Sequence, residues 1–272
     1  MFPQQMESIP QELDYKLFFQ RLKCMRGIAL VTGGAKGIGK AIVDRLASDG
    51  YDVVINYLTS KKEAEALKQM VEDKYHVRAL SIQADVSDED AIDDMAEWIE
   101  KQLGKVDVLI NNAAVDLSDL FYQKTVESFR RTMDVNVIGA YNCARRFGSV
   151  MKENGYGRII NISSTNGINT YYPMSIDYDA SKAALISLTH NLALQFAPYV
   201  NVNCVAPGFI GTESELDGYD EQFLKKECEK ILVGRYGKPE EVANLISFLV
   251  SDQADFINNT IIRLDGGQKG SI

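Results

Sequence analysis

Short runs that are apolar at nearly every position recur along the chain: Ile28–Thr32, Asp52–Asn56, Val77–Ala84, Val106–Ile110, Arg158–Ile162, Val200–Val205 and Thr260–Leu264. They are rich in Val and Ile. A strand that is apolar on both faces must be covered on both, which is the condition of a parallel sheet between helical layers. Between the runs lie longer stretches such as Lys61–Glu72, Glu89–Gln102 and Ala180–Phe196, with apolar residues at helical spacing. Strands alternating with helices predict an α/β fold, a doubly wound parallel sheet of about seven strands with helices on both faces. The alternation runs unbroken from residue 27 onward, without a repeat or a linker, and so predicts one domain over 27–272.

Two regions depart from it. Residues 208–235 are long and charged, and should sit over the carboxyl ends of the strands as a substrate lid. Residues 1–26 precede the first strand. There Ser8-Ile9-Pro10-Gln11 has the form of a capping box, and Leu13, Leu17, Phe18 and Leu22 recur near helical spacing. This predicts a helix near residues 9–24, packed on the domain or on a neighbouring subunit.

Composition narrows the function. A net charge of −9 over 272 residues opposes binding to nucleic acid or to anionic membranes. No apolar run approaches the ~18 residues of a membrane span. The first residues lack the pattern of a targeting signal, so a cytoplasmic protein is expected. Four scattered cysteines without a C-x-x-C pair fit thiols in a reducing compartment. Two histidines supply no metal site or hydrolytic triad, and no metal is expected.

Two groups of residues carry chemistry. The first run leads into Thr32-Gly33-Gly34-Ala35-Lys36-Gly37-Ile38-Gly39, with a helix from Lys40. Glycines there allow a tight turn and a close approach to a pyrophosphate, whose charge the helix N-terminus favours. Gly34 to Lys40 also fits most of a P-loop, but Ala41 lacks the hydroxyl that would hold Mg²⁺, so phosphoryl transfer fails there. The second group is Tyr178 and Lys182, four apart and hence on one helix face. A lysine ammonium beside a tyrosine favours the phenolate and draws its pKa towards the working range. Spacing alone is weak evidence, because Tyr57 and Lys61 share it.

In order along the chain stand Thr32-Gly33-x-x-x-Gly37-x-Gly39, Asp85-Val86, Asn111-Asn112-Ala113-Ala114, Asn136, Ser163-Ser164, Tyr178-x-x-x-Lys182 and Pro207-Gly208. Over residues 27–267 the sequence thereby resembles the short-chain dehydrogenase/reductase family in its classical form. The resemblance implies a Rossmann-type fold and the interconversion of a ketone and a secondary alcohol with NAD(P)(H). Tyr178 would be the proton donor or acceptor. Lys182 would bind the nicotinamide ribose and lower the Tyr178 pKa. Ser164 would steady the substrate oxygen, and Asn136 would anchor a water leading to Lys182. Ser164 is preferred to Ser163 because it begins Ser-x-x-Gly through Gly167. The cofactor would lie against Gly33, Lys36, Gly37, Ile38, Gly39, Tyr57, Thr59, Ser60, Asp85, Val86, Asn112, Ala113, Tyr178, Lys182, Pro207, Gly208, Ile210 and Thr212. Ala114, where the family more often has Gly, requires a backbone that avoids positive φ.

NADP(H) is the expected cofactor and NAD(H) the alternative. The second strand ends in Asn56-Tyr57-Leu58-Thr59-Ser60 with no Asp or Glu to repel a 2′-phosphate, and Lys36 adds positive charge. The substrate is a small carbonyl or alcohol. Tyr171, Tyr172 and Met174 are expected to border it and lean towards a bulky apolar ketone, such as a steroid. A 3-oxoacyl-thioester reductase is the alternative enzyme, with Arg130, Arg131, Arg145 and Arg146 as a basic rim for an acidic carrier. A non-catalytic dinucleotide sensor would have lost Tyr178 or Lys182, and both are present. The resemblance also implies a homotetramer, assembled through the helices near Thr125 and Asp177 and the final strand.

Overall fold

The computed structural model describes residues 26–169, 171–218 and 220–269. The expected helix over 9–24 lies outside them. All seven expected strands are present: β1 (Ile28–Val31), β2 (Asp52–Tyr57), β3 (Ala79–Gln83), β4 (Val108–Asn111), β5 (Gly157–Ile162), β6 (Val200–Pro207) and β7 (Ile261–Leu264). They form one sheet in the order β3-β2-β1-β4-β5-β6-β7, every pair parallel.

Helices cover both faces because the strands are apolar on both. On one side α1 (Gly37–Ser48), α2 (Lys61–Tyr75) and α9 (Pro239–Leu249) pack Ile42, Leu46, Leu67 and Ile246 against Ala29, Val31 and Ile55. On the other, α3 (Glu89–Gln102), α5 (Gly139–Asn154) and α6 (Ile176–Phe196) pack Ile92, Ile99, Met151 and Phe196 against Leu30, Leu109 and Ile159. The alternate residues of β1 therefore feed two separate cores, as the period of two along a strand requires. A short helix α4 (Val126–Met133) runs into α5 through a π-helical turn, Asp134–Ile138. Residues 208–235 contain α7 (Glu213–Asp217) and α8 (Glu221–Glu229), which follow the carboxyl end of β6. Among the described residues no helix is long and apolar enough to cross a membrane.

This topology puts a crevice at the carboxyl ends of β1 and β4. The chain leaves β1 towards β2 on one side and enters β4 on the other, which is where open α/β sheets bind ligands.

Candidate active site

The glycine turn is held from several directions. The Thr32 hydroxyl accepts hydrogen bonds from the backbone N–H groups of Asn112 and Ala113, each at 3.0 Å. In return the Asn112 carboxamide donates to the Thr32 and Gly33 carbonyls at 2.9 and 3.1 Å. Asn56 accepts from the Gly33 N–H and donates to the Ala84 carbonyl, joining the ends of β1, β2 and β3. Gly33 and Gly37 have φ of +60° and +52°, a region an L side chain rarely adopts. The Lys36 side chain does not cap α1, so the first N–H groups of that helix open on the crevice side of the turn. Glycines that cannot carry a Cβ, at the N-terminus of an uncapped helix, fit a dinucleotide pyrophosphate. Ala114 has no positive φ, since His76 and Asn259 are the only non-glycine residues with one among those described.

Beside this turn lies a cavity of about 320 Å³. Its walls include Ile38 and Asn112, then Ser164, Tyr178 and Lys182, then Pro207, Gly208, Ile210 and Thr212. A larger hollow of about 1110 Å³ continues past Thr212 along Lys36, Gly37 and Glu63, between α1, α2 and α9. Tyr178 and Lys182 both sit on α6, with the Lys182 Nζ 5.2 Å from the Tyr178 ring centroid. The other copy of this spacing is divided: Tyr57 ends β2 and Lys61 begins α2. Lys182 is 2% exposed, and its Nζ donates to the Ile162 carbonyl at 2.9 Å.

The two serines separate cleanly. The Ser163 hydroxyl is buried and donates to the Lys182 carbonyl at 2.7 Å, whereas Ser164 lines the cavity with Tyr178 and its hydroxyl bonds Asn166. Gly167 explains the Ser-x-x-Gly spacing. A Cβ there would come within 2.6 Å of the Lys182 carbonyl oxygen and 2.8 Å of the Ala183 nitrogen, so only glycine lets the Ser164 turn lie against α6. Asn136 occupies the π-helical turn, 1% exposed. Its carboxamide accepts from the Val115 N–H at 2.8 Å and donates to the Val115 carbonyl and the Ser181 hydroxyl at 3.0 and 2.9 Å. Next to Tyr178, Asp177 is buried in an ion pair with Lys124 at 2.8 Å, which ties the loop after β4 to the start of α6.

Electrostatics corrects one expectation. Tyr178 is pushed up from its ordinary pKa, chiefly by loss of solvent, then by Asp116 and Glu215, with the Ser164 hydrogen bond opposing. Lys182 is pushed down to about 8, because burial penalises its ammonium more than Cys204 and Asp116 favour it. Burial thus drives both groups towards their neutral forms, and outweighs any pull of Lys182 on the phenolate. A stability prediction follows for Lys182. In the unfolded chain its pKa is ordinary, so between pH 8 and 10.5 the unfolded state binds more protons. The penalty is complete below pH 8 and fades as pH rises through that window. Lys182→Met should therefore gain stability over the parent most at pH 7, with the gap shrinking by about 3 kcal/mol towards pH 10.5. Urea melts of both proteins at pH 7, 9 and 10.5 measure this, and a constant gap would contradict it.

Several predicted residues lie away from the cavity. Tyr57 is 6% exposed and packs in the core. Asp85 accepts from the Ser87 hydroxyl at 2.7 Å and pairs with Arg131 at 2.8 Å, and Val86 is buried. Tyr171 and Met174 are exposed and do not line the cavity, so of the three aromatic and Met residues only Tyr172 forms its wall. The expected apolar wall is instead polar. Arg131, Arg145 and Arg146 are committed to Asp85, Glu89 and Asp93, and do not form a free basic rim. Lys36 is paired with Glu63 at 2.9 Å. Glu63 escaped the sequence reading, although Ser60-x-x-Glu63 has capping-box spacing; Ser60 makes no side-chain cap, and Glu63 reaches Lys36 instead. Asp116, Glu215 and Gln268 also line the cavity unforeseen, since no spacing links residues so far apart in sequence.

Comparison with known proteins gives the family. The family profile described as enoyl-(acyl carrier protein) reductase matches residues 33–269. The chain is 35% identical to the 3-oxoacyl-(acyl-carrier-protein) reductase FabG of Staphylococcus aureus, over 88% of this chain and 96% of that one. It is 38% identical to acetoacetyl-CoA reductase of Rhizobium meliloti, over 90% and 99%. Among solved structures, a double mutant of a Serratia marcescens short-chain dehydrogenase/reductase superposes with a TM-score of 0.84 at 33% identity, over 90% of this chain and 98% of that one. Acetoin dehydrogenase YohF of Salmonella typhimurium gives 0.80 at 32%, over 89% and 95%. The chain belongs to the classical short-chain dehydrogenase/reductase family, oxidoreductases that use NAD(P)(H) and act on CH–OH and C=O groups.

Proposed function

We propose that this protein interconverts a ketone and a secondary alcohol in the cavity around Tyr178, with NADP(H) preferred over NAD(H). The observation that carries the reading is the meeting of Ser164, Tyr178 and Lys182 with Ile38, Gly208 and Thr212 in one cavity beside the glycine turn. When bound, the nicotinamide supplies or accepts the hydride. Tyr178 donates its proton to the carbonyl oxygen during reduction; burial keeps it protonated, the state a donor needs. Ser164 donates a hydrogen bond to the same oxygen and steadies the charge that develops there. Lys182 has two ammonium hydrogens beyond the one on Ile162, enough to hold a ribose hydroxyl and return a proton to Tyr178. The Asn136 carboxamide bonds Val115 and Ser181, which fixes Asn136 where the family resemblance has it anchor a relay water.

Lys36, Thr59 and Ser60 are the proposed 2′-phosphate ligands, and Glu63 the group that holds Lys36 in the meantime. A 2′-phosphate would displace Glu63 from Lys36. We expect kcat/KM with NADPH to exceed that with NADH by about tenfold, the scale of one charge-assisted contact. Glu63→Gln should widen the margin. Following cofactor absorbance with a ketone substrate measures both, and a clear advantage for NADH would overturn the preference.

The names of relatives favour a 3-oxoacyl-thioester reductase as the second reading. Three of its four candidate rim arginines are held in ion pairs, which weighs against it, and Arg130 is the exposed one that forms no salt bridge among the described residues. The proposal extends to a cytoplasmic homotetramer through the family resemblance. Support for assembly comes from Val126, Ile138 and Tyr141, apolar side chains exposed along α4 to α5 beside α6.

A further inference from the structure

The cavity that holds Tyr178 is lined by three acceptors from separate chain segments, Asp116, Glu215 and Gln268. Asp116 receives hydroxyl donors from Ser118 at 2.8 Å and Ser175 at 3.3 Å and forms no salt bridge among the described residues, although its charge reaches the Lys182 ammonium. The Glu215 carboxylate makes no hydrogen bond or ion pair there, and loss of solvent together with Asp116 raises its pKa. Gln268 is 4% exposed, lines the same cavity, and its Oε1 is buried without a hydrogen-bond partner. Glu227, by contrast, is already engaged by Lys230 and the Tyr172 hydroxyl. A buried acceptor without a donor is destabilising, so Gln268 calls for a ligand O–H or N–H.

We propose that Asp116, Glu215 and Gln268 select a neutral polyhydroxylated substrate, a ketose or its alditol, whose hydroxyls beside the reacting carbon donate to these three acceptors. This rests on the reading of the cavity as the site where Tyr178 acts. Asp116 and Glu215 line the same cavity as Ser164, Tyr178 and Lys182, which places them beside the reacting carbon. A single ammonium could satisfy one carboxylate but not three acceptors at separate positions, one of them uncharged. An acetoacyl group or an apolar ring brings no hydroxyl beside the reacting carbon, and would leave the buried Gln268 Oε1 without a donor. A site built to accept hydroxyls discriminates strongly against analogues that lack them, because its own polar groups are then unpaired.

The test compares matched ketones with the full-length protein, using NADPH and NADH in parallel: dihydroxyacetone against acetone, 2-hydroxycyclohexanone against cyclohexanone, with aminoacetone and an acetoacetyl thioester alongside. Each hydroxyl next to the carbonyl should raise kcat/KM about tenfold, the scale of a hydrogen bond to a charged group. Asp116→Asn and Glu215→Gln should shrink the ratio of hydroxylated to unsubstituted ketone by a similar factor, with the melting temperature checked for each variant. Equal efficiencies within the pairs overturn the proposal, as does a ratio the variants do not move, or a win for the amine or the thioester. Turnover that survives Tyr178→Phe would instead remove the site itself. Turnover that depends on Tyr178 yet ignores hydroxyls removes only the substrate class.

Discussion

Tyr178→Phe is expected to lower kcat for ketone reduction by about a thousandfold, within the range that a positioned proton donor contributes. Only the hydroxyl is lost. The ring keeps its place on α6 beside the Lys182 ammonium, 5.2 Å from its centroid, and Lys182 keeps its bond to Ile162. Removing one hydroxyl changes stability by about 1 kcal/mol at most, partly offset because a polar group in a cavity wall is removed with it. Cofactor Kd, measured by fluorescence titration, and the melting temperature should therefore stay close to those of the parent while turnover collapses. Parental turnover in the variant would take Tyr178 out of the mechanism.

The second large effect is expected at Gly39, far from any proton chemistry. A Cβ there would overlap the Gly33 carbonyl oxygen and come within 2.7 Å of the Asn112 Nδ2 and 3.0 Å of the Gly34 Cα. Two of these three neighbours are backbone, and Asn112 is fixed by its bonds to the Thr32 and Gly33 carbonyls. None can yield as a flexible side chain would. Gly39→Ala should force α1 away from the turn, costing about 3 kcal/mol and roughly 5–10 °C of Tm. Cofactor affinity should fall about a hundredfold, because the N–H groups of α1 no longer meet the pyrophosphate in register. Calorimetry and cofactor titration read the two losses separately. An alanine variant with unchanged Tm and Kd would mean that the turn accommodates a Cβ after all.

Local sequence determined the sheet and its two cores. Runs such as Leu30–Val31 and Ile159–Ile160 are apolar at consecutive positions, and consecutive positions on a strand face opposite sides. Such strands admit only a buried parallel sheet with helices on both faces. The pairing of Tyr178 with Lys182 was legible for the same reason, since a spacing of four on a helix is a statement about one element. The choice of Ser164 over Ser163 was legible through Gly167, a residue whose missing side chain records a contact with α6.

What the tertiary structure alone decided concerns charge and solvent. The sequence places an ammonium beside a phenol and so predicts a lowered Tyr178 pKa, yet burial raises it and lowers Lys182 to about 8. Desolvation depends on every element packed around a group, and no spacing reports it. Lys36 and the arginines Arg131, Arg145 and Arg146 read as free positive charge along the chain, but Glu63, Asp85, Glu89 and Asp93 meet them from other elements. The character of the cavity around Tyr178 was hidden for the same reason. Asp116 follows β4, Glu215 lies on α7 and Gln268 comes after β7, so only the folding of three chain segments over the carboxyl ends of the strands turns an expected apolar wall into a set of acceptors.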